Sequence, residues 1–443
     1  MNNVKINNYM FYVAFVASLG GFLFGFDTAV ISGAEAAIQE VYGLTDYWHG
    51  FTIAIALIGT IIGTVVCGKP VERYGRKLVL QWVGGVYLVS ALGCGLIVDW
   101  YSFLFFRLIG GIAVGASSVV GPMYIAEISP AHWRGRFVAF FQFNIVFGIV
   151  AAYVSNYYLA GIPDDWRWML GVLAIPSLVF VILLFTIPES PRWLVKKQRG
   201  AEAERVFTKI GTGDITAQLT AVKASFQSSL NDERLFQRKY YKPIVFAFLI
   251  ATFNQLSGIN AILYYAPRIF ETAGLLRDSA LMQSAIIGVT NLVFTMLAML
   301  IIDRVGRKKL LVVGSVGMIV SLGLAAKGFY EDSLEGYAML FYLIGFIASF
   351  AISLGAVIWV LIAEVFPTSV RAKGQVLGSM THWVWNTALS WTFPIIVGSI
   401  GNGAAYIFGF FALAMVANLF FAWFVLPETK NKSLEQLQEE LTT

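Results

Sequence analysis

The chain of 443 residues is poor in charge, because only 13% of its residues are Asp, Glu, Lys or Arg, against about 25% in soluble proteins. Its two cysteines, Cys67 and Cys94, lie in apolar runs, which excludes a disulfide framework and a cysteine-based metal site. With three histidines and no metal-ligand cluster or nucleophile motif, we expect neither an enzyme nor a bound cofactor or metal. Hydrophobic residues make up 58% of the chain, which indicates a polytopic membrane protein in a lipid bilayer.

Long apolar runs account for most of the sequence. A helix needs about 20 apolar residues to cross a bilayer core of about 30 Å. Twelve runs reach this length, and we therefore predict an all-α membrane protein with twelve transmembrane helices. The predicted spans lie at about 9–33, 50–68, 78–98, 101–126, 137–159, 168–187, 243–267, 281–302, 309–328, 337–362, 374–398 and 404–426.

The positions of the cations predict an orientation. If the N-terminus is cytoplasmic, only Arg167, Arg268, Arg277 and Lys327 of the 31 Lys and Arg residues lie outside, and Arg107 lies within a span. The other 26 are then cytoplasmic, as the positive-inside rule requires. We therefore expect both termini in the cytoplasm, and we interpret the net charge of +5 as a topology signal, not as a nucleic-acid-binding surface.

A polar segment divides the chain into two halves. Residues 190–242 follow the sixth span and are too few to form an independent core in a chain built this way. We predict a six-helix half over 1–189, an intracellular linker of short helices over 190–242, a second six-helix half over 243–428, and a cytoplasmic tail over 429–443.

Three motifs occur once in each half, after corresponding spans. They are Glu-Arg-Tyr-Gly-Arg-Lys at 72–77 and Asp-Arg-Val-Gly-Arg-Lys at 303–308, Ile-Ala-Glu at 125–127 and at 362–364, and Pro-Glu-Ser at 188–190 and Pro-Glu-Thr at 427–429. Their near-equal offsets imply two pseudo-symmetric halves in the same orientation, a parallel repeat of the kind found in transporters. Such symmetry places a substrate between the halves, near the bilayer midplane.

The repeated motifs put acidic residues beside arginines at cytoplasmic helix ends, where they can form charge-assisted hydrogen bonds. The expected partners are Glu72 with Arg73 and Arg76, Glu127 with Arg134, Asp303 with Arg304, and Glu364 with Arg371, with Arg307 at the position equivalent to Arg76. Two interpretations remain open. The cluster either stabilises the topology only, or forms a cytoplasmic gate, because a network of several pairs can bias a two-state equilibrium by a few kcal/mol.

Two opposite charges lie inside the spans at similar depth. Asp27 in span one and Arg107 in span four are each about six residues, or about 9 Å, below the outer surface. Isolated charges are costly there, so we expect the two to pair, with Gly110, Gly111 and Gly115 allowing span one to approach span four. The pair is either a static structural contact or a proton site, in which a small change in exposure decides whether Asp27 is ionised.

Span seven carries a second polar group. Gln255 and Asn260 are about 140° apart on an ideal helix, but Ser257 and Gly258 predict local unwinding that turns both inward. Further polar and aromatic residues within spans are Gln142, Asn291, Trp359, His382, Trp383 and Asn386. Uncharged amides beside aromatic rings suit a neutral polyhydroxylated ligand, although any one of these side chains alone is more often an interhelical hydrogen bond.

Over essentially its whole length, the chain resembles the sugar porters of the major facilitator superfamily, closest to the bacterial proton-coupled xylose and glucose symporters. The segments that carry the resemblance are Gly-Phe-Asp-Thr-Ala-Val-Ile-Ser-Gly at 25–33, Arg-Tyr-Gly-Arg-Lys at 73–77, Pro-Glu-Ser-Pro-Arg-Trp-Leu at 188–194, Gln-Leu-Ser-Gly-Ile-Asn at 255–260, Tyr-Tyr-Ala-Pro at 264–267, Asp-Arg-Val-Gly-Arg-Lys at 303–308 and Pro-Glu-Thr-Lys at 427–430.

This resemblance implies the major facilitator fold, alternating access, and a hexose or pentose held mainly by the C-terminal half. By position it assigns sugar contacts to Gln142, Gln255, Asn260, Asn291, Trp359 and His382, and gating roles to Phe24 and Tyr264. It makes Asp27 the proton-site aspartate and Arg107 its partner. Trp383 and Asn386 join the expected substrate-binding set, as does Asn254, which stands where many members have a glutamine.

The resemblance implies a proton-coupled monosaccharide symporter in the bacterial inner membrane, acting as a monomer. Ile149 stands where the bacterial xylose porter has a glutamine, and His382 where glutamine or asparagine is usual, so the sugar stays open. An uncoupled facilitative uniporter and a non-transporting sugar sensor remain as alternatives. Proton flux accompanying the sugar separates the first of these from a symporter.

Overall fold

The computed structural model describes residues 7–130, 133–211, 215–216, 218–220, 222, 233–334, 337–367, 369–430 and 441. The described residues are mostly helical and contain no strand. Much of the predicted linker beyond residue 211, and nearly all of the predicted tail, lie outside the described residues.

The helices up to residue 210 are α1 (Asn8–Val41), α2 (Asp46–Val66), α3 (Gly68–Tyr74), α4 (Arg76–Leu96), α5 (Trp100–Ile128), α6 (Arg134–Leu159), α7 (Asp165–Gly171), α8 (Ala174–Leu184), α9 (Pro191–Lys196) and α10 (Gly200–Ile210). The later helices are α11 (Tyr241–Leu256), α12 (Ile259–Tyr264), α13 (Ala266–Thr272), α14 (Arg277–Val305), α15 (Arg307–Tyr330), α16 (Ala338–Phe350), α17 (Ala356–Glu364), α18 (Arg371–Ser399) and α19 (Gly403–Phe420). A 3₁₀ turn at Arg238–Tyr240 precedes α11, and π-helical turns at Ala351–Gly355 and Phe421–Val425 follow α16 and α19.

In the described part of the chain, eleven helical segments are long and apolar enough to cross a membrane. The predicted eleventh span corresponds to α18, which has 29 residues and is long enough to cross but is not among the eleven. It carries His382, Asn386 and Ser390 on its buried face, and this polarity lowers its resemblance to a lipid-embedded helix.

The chain forms two compact units. The first contains residues 1–30, 58–152 and 163–231, and the second contains 31–57, 153–162 and 232–443. The second unit therefore includes the end of α1, the start of α2 and the end of α6, in addition to all helices from α11 onward.

Glycines of α5 in the first unit lie close to α2 and α4, and not to α1 as predicted. A Cβ at Gly115 would lie 2.1 Å from the carbonyl oxygen of Thr60 in α2, and one at Gly110 would lie 2.3 Å from the Ser90 hydroxyl in α4. The prediction that these glycines admit span one was therefore wrong. Contact between α1 and α5 is made at Gly20, whose carbonyl accepts a hydrogen bond from Ser117 at 2.9 Å.

Candidate functional site

Asp27 and Arg107 pair inside the first unit, as their matched depth in the sequence predicts. Nη1 of Arg107 donates to Oδ1 of Asp27 at 3.1 Å, and both side chains are buried. The Nε of Arg107 has no hydrogen-bond partner among the described residues. One direct hydrogen bond thus compensates two buried charges, so the pair is sensitive to any change in protonation or hydration.

The predicted interruption of span seven is present. Helix α11 ends at Leu256, Gly258 adopts a left-handed conformation with φ +84°, and α12 begins at Ile259. The break brings Asn260 round to Gln255, so that Nδ2 of Asn260 donates to Oε1 of Gln255 at 2.9 Å. A continuous helix would hold these two side chains on different faces.

His382 of α18 contacts the side-chain amide of Gln255. Nε2 of Gln255 lies 3.1 Å from one ring nitrogen of His382 and also donates to Oδ1 of Asn254 at 2.9 Å. The rings of Trp359 and Trp383 have their centroids 5.1 and 5.0 Å from that of His382. Trp359 is 40% exposed, so an approaching ligand can stack on it, whereas Trp383 is buried.

Asn386 lies one turn beyond His382 on the same face of α18, as the spacing predicts. Its Oδ1 accepts from Ser390 at 3.1 Å, and its buried Nδ2 has no hydrogen-bond partner among the described residues. A buried amide nitrogen without a partner costs about 1–3 kcal/mol, so this donor is available to a ligand oxygen.

The remaining predicted substrate residues fall in both units. Asn254, Tyr264 and Asn291 are buried in the second unit, where Nδ2 of Asn254 donates to the Leu354 carbonyl at 3.2 Å. Thr295 donates to Asn291 at 3.4 Å. Phe24 and Gln142 belong to the first unit, and both are partly exposed.

The repeated motifs of the first half, predicted to be cytoplasmic, form one connected network. Nη2 of Arg76 lies 2.8 Å from Oε1 of Glu127 and 3.6 Å from Glu72. Oε1 of Glu189 accepts from the Arg76 backbone amide at 2.9 Å, where α4 begins after Gly75. The hydroxyl of Ser190 donates to Oε2 of Glu127, which joins the Pro-Glu-Ser segment to the network.

The second half repeats this network with equivalent partners. Nη2 of Arg307 lies 2.9 Å from both Glu364 and Asp303. Oε1 of Glu428 accepts from the Arg307 backbone amide at 3.1 Å, and Thr429 donates to Oε2 of Glu364 at 2.6 Å. The left-handed glycine before each helix, Gly75 or Gly306, leaves room for the glutamate, because a Cβ there would lie 2.3 or 2.6 Å from a carboxylate oxygen.

Four of the predicted cytoplasmic pairings were wrong, because none of Glu72–Arg73, Glu127–Arg134, Asp303–Arg304 and Glu364–Arg371 is an ion pair in the described part of the chain. Arg134 donates instead to the Ala126 carbonyl, and Arg371 to the Phe366 carbonyl. Arg73 lies over the ring of Tyr74, and Arg304 accepts a hydrogen bond from Lys430 through its carbonyl. Arg76 and Arg307, the first residues of α4 and α15, contact these acids instead.

Two glutamates of the first network titrate differently because their surroundings differ. Burial raises the pKa of Glu189, despite the hydrogen bonds it accepts from the Ser190, Lys77 and Arg76 amides. For Glu72, burial also acts to raise the pKa, but the hydrogen bond and charge of Lys196, together with the charge of Arg76, lower it overall. Glu189 was recognised in the sequence only as part of a repeated motif, without a role.

A further ionisable cluster lies at the ends of α1, α2 and α13 in the second unit and was not predicted. It consists of Glu35, His49 and Arg268, in which Glu35 contacts both of the others. The apolar run of span one suggested an end near residue 33, whereas α1 continues to Val41 and carries Glu35 into a buried position.

The described chain combines membrane-length helices, a broken and amide-lined segment in the second unit, a buried ion pair in the first, and a helix-end network in each. These features are typical of a membrane transporter. The family model described as "Sugar (and other) transporter" matches residues 13–441. The chain belongs to this family, which confirms the resemblance seen in the motifs and makes the protein a transporter and not an enzyme.

Several relatives share almost the whole chain. The D-xylose-proton symporter of Escherichia coli (strain K12) is 36% identical, over 99% of this chain and 97% of that protein. The arabinose-proton symporter of Bacillus subtilis (strain 168) is 34% identical, over 97% and 95%. The glucose transport protein of Synechocystis is 35% identical, over 98% and 97%.

The fold is shared with a solved transporter. The inward-open structure of the xylose transporter XylE from E. coli superposes with a TM-score of 0.87 at 35% sequence identity, covering 98% of this chain and 100% of that one. The prediction of the major facilitator fold is therefore confirmed, and the protein is a multi-pass plasma-membrane protein.

Proposed function

We propose that the protein is a proton-coupled monosaccharide symporter that works by alternating access and takes a hexose such as glucose or a pentose such as xylose. Relatives named as xylose-proton and arabinose-proton symporters, each covered almost end to end, support proton coupling. A relative named as a glucose transport protein supports a sugar substrate without settling which one.

The observation that carries the proposal is the buried Asp27–Arg107 pair. Protonation of Asp27 would leave Arg107 without its counter-ion, and loss of the proton would restore the pair. Since a charge in this environment is costly without a partner, the two protonation states favour different hydration and packing around α1 and α5. A carboxylate that exchanges a proton with each side in turn couples the proton gradient to the conformational cycle.

The proposed sugar site lies around the break in span seven. Gln255, Asn260 and Asn386 present amide groups that both donate and accept, which suits hydroxyl groups of a sugar. Trp359 offers an aromatic face, and His382 replaces the more usual amide beside Gln255. The full proposed set is Phe24, Gln142, Asn254, Gln255, Asn260, Tyr264, Asn291, Trp359, His382, Trp383 and Asn386.

In this proposal the six-helix halves over 1–189 and 243–428 alternate around the sugar, connected by the linker over 190–242. The 26 cations assigned to one side support cytoplasmic termini. The charged residues at the predicted cytoplasmic helix ends, Arg134 and Arg371 among them, would bias the same cycle from that side. We further propose that the transporter functions as a monomer.

Counterflow of labelled glucose, xylose, galactose and inositol into proteoliposomes, with a pH gradient imposed or absent, tests the proposal. A symporter gives counterflow with or without the gradient, but in vesicles without internal sugar it accumulates its sugar only when the gradient is imposed, and it acidifies the lumen as sugar enters. A uniporter gives counterflow without proton movement. Sugar binding without counterflow of any tested sugar indicates a sensor.

A further inference from the structure

Three ionisable side chains meet at the end of span one, on the side that the cation distribution assigns to the outside. Oε2 of Glu35 in α1 lies 2.7 Å from Nε2 of His49 in α2. Oε1 of Glu35 accepts a hydrogen bond from Nε of Arg268 in α13 at 2.9 Å. His49 and Glu35 are fully buried, whereas the Arg268 side chain is 22% exposed.

Polar neighbours fix the arrangement. Nη2 of Arg268 donates to Oε1 of Gln39 at 2.6 Å, and Nε2 of Gln39 donates to Asp46 at 3.0 Å. The ring of Tyr265 meets that of His49 edge to face, with centroids 6.0 Å apart. Nδ1 of His49 has no hydrogen-bond partner among the described residues.

Other charges face the cluster from α13 and α14. Burial and the charge of Glu35 raise the pKa of Glu271, while Arg277 and Arg268 act to lower it. Tyr264 also lies close enough to contribute to the electrostatics at Tyr265. Among the side chains named in this cluster, His49 belongs to the residue type that ordinarily changes charge between about pH 5 and about pH 8.

The contacts cross the sequence repeat. Glu35, Gln39 and His49 come from the N-terminal half of the sequence, whereas Arg268 comes from the C-terminal half. Opening to the outside in an alternating-access cycle must separate these helix ends, and therefore Arg268 from Glu35. The contact between Glu35 and His49 lies within the N-terminal half of the sequence and can persist.

We propose that His49 and Glu35 form a second proton-binding site, and that its occupation from the outer solution favours the outward-open state. The step is the transfer of one proton from water to the neutral imidazole, which becomes a cation. The inference rests on the proposed alternating-access function, but not on Asp27 as the coupling site.

The direction follows from differential proton binding in the two states. With Arg268 in contact with Glu35, a protonated His49 would be a second cation beside an already neutralised carboxylate. It would also be buried, with an Nδ1–H that has no acceptor among the described residues. With Arg268 withdrawn and water admitted, Glu35 would have only His49 as its counter-ion. The open state therefore binds the proton more tightly, and by linkage the proton favours the open state.

The test measures the distance between the two outer helix ends in lipid nanodiscs. Spin labels at Val41→Cys and Leu276→Cys are suitable because both positions are exposed, at 55% and 82%. Cys67 and Cys94 are buried and are replaced by serine. All variants in this test also carry Asp27→Asn, which removes the other proposed proton site.

Lowering the pH from about 8 to about 5 should raise the open-to-closed ratio by about tenfold, as expected for a tenfold difference in proton affinity. His49→Gln keeps a polar side chain beside Glu35 but does not titrate, and it should abolish this response. Arg268→Gln should raise the open fraction at about pH 8 and reduce the pH response. His132→Gln, which removes a histidine on the predicted cytoplasmic side, is the matched control and should retain the full response.

A pH response in His49→Gln equal to that of the parent would overturn the proposal. If His49→Gln does not fold, an unchanged response in Arg268→Gln overturns it equally. Proton flux during sugar uptake is measured separately. Its absence would contradict the proposed symport while leaving the pH response of the outer helix ends intact, so the two failures are distinguishable.

Discussion

Replacing Asp27 with Asn removes the negative member of the buried pair and keeps the size of the side chain. Arg107 then remains buried with no counter-ion, and its Nε already lacks a hydrogen-bond partner among the described residues. We expect Asp27→Asn to retain sugar counterflow and to lose proton-driven accumulation, because the amide neither binds nor releases a proton near neutral pH.

The magnitudes can be worked out for both transport and stability. With one proton per sugar, a gradient of about one pH unit supports up to about tenfold accumulation, because one unit corresponds to about 1.4 kcal/mol. Accumulation by Asp27→Asn should fall to about onefold. The uncompensated charge of Arg107 should also lower stability by about 3–5 kcal/mol, the usual cost of breaking a buried ion pair from one side.

Two matched variants separate coupling from folding. Asp27→Glu still titrates and should retain accumulation. The double variant Asp27→Asn, Arg107→Gln should recover much of the lost stability, because neither side chain is then charged, and should remain uncoupled. Accumulation is measured in proteoliposomes and stability by thermal unfolding in detergent. Gradient-driven accumulation by Asp27→Asn would refute the assignment of the proton site. If Asp27→Asn is no less stable than the double variant, the electrostatic reasoning is refuted.

Three further outcomes are expected. Burial raises the pKa of Glu189. The stability that Glu189 contributes is therefore present below its ordinary pKa of 4.5 and is lost as the pH rises through the raised pKa. Glu189→Gln should remove this part of the pH dependence of the melting temperature. His382→Ala should weaken sugar binding by about tenfold or more, measured by tryptophan fluorescence titration, whereas His382→Gln should retain most of the affinity because it can still contact Gln255. Gly115→Ala should destabilise the protein by about 1–3 kcal/mol in thermal unfolding, because its Cβ would lie 2.1 Å from the Thr60 carbonyl, while Gly85→Ala, with open space around it, should not.

Some site contacts could be predicted from the sequence because a single physical requirement fixes them. Asp27 and Arg107 are opposite charges at equal depth in otherwise apolar spans, and the cost of isolating either one leaves pairing as the favourable arrangement. The break at Ser257-Gly258 was predictable for a similar reason. Gly258 can take a positive φ at no steric cost, and the amides on either side need to meet.

The outer cluster could not be predicted in the same way. Glu35 lies beyond the apolar run of span one, so hydropathy gives no reason to bury it, and His49 lies just before the run of span two. Their contact depends on α1 continuing to Val41 and α2 beginning at Asp46. The third member, Arg268, is more than 200 residues away in sequence and was assigned only as an outside cation.

The cytoplasmic networks show where sequence proximity misleads. An acid followed a few residues later by an arginine suggested local pairs, such as Glu364 with Arg371. The structure instead gives each acid to the arginine that begins an earlier long helix, so Glu127 pairs with Arg76 of α4 and Glu364 with Arg307 of α15. A charged side chain at a helix end can reach a neighbouring helix as readily as its own loop, and only the tertiary arrangement decides between them.

These contacts also limit what the networks can do in a transport cycle. Every partner described for Arg76 lies in the first unit, and every one described for Arg307 lies in the second, so each network fixes helix ends within one half of the repeat.

A contact that changes between conformational states needs charged groups that are not already paired within these networks. Arg134 and Arg371 meet this condition, because the contacts described for their guanidinium groups are to backbone carbonyls, and the buried Nη2 of Arg371 has no hydrogen-bond partner in the described part of the chain. An unpaired buried guanidinium nitrogen is costly, so a state that supplies a carboxylate to Arg371 gains stability relative to this one. We therefore expect any conformational bias from the predicted cytoplasmic side to arise at these two arginines, and the contacts of Arg76 and Arg307 to stay the same throughout the cycle.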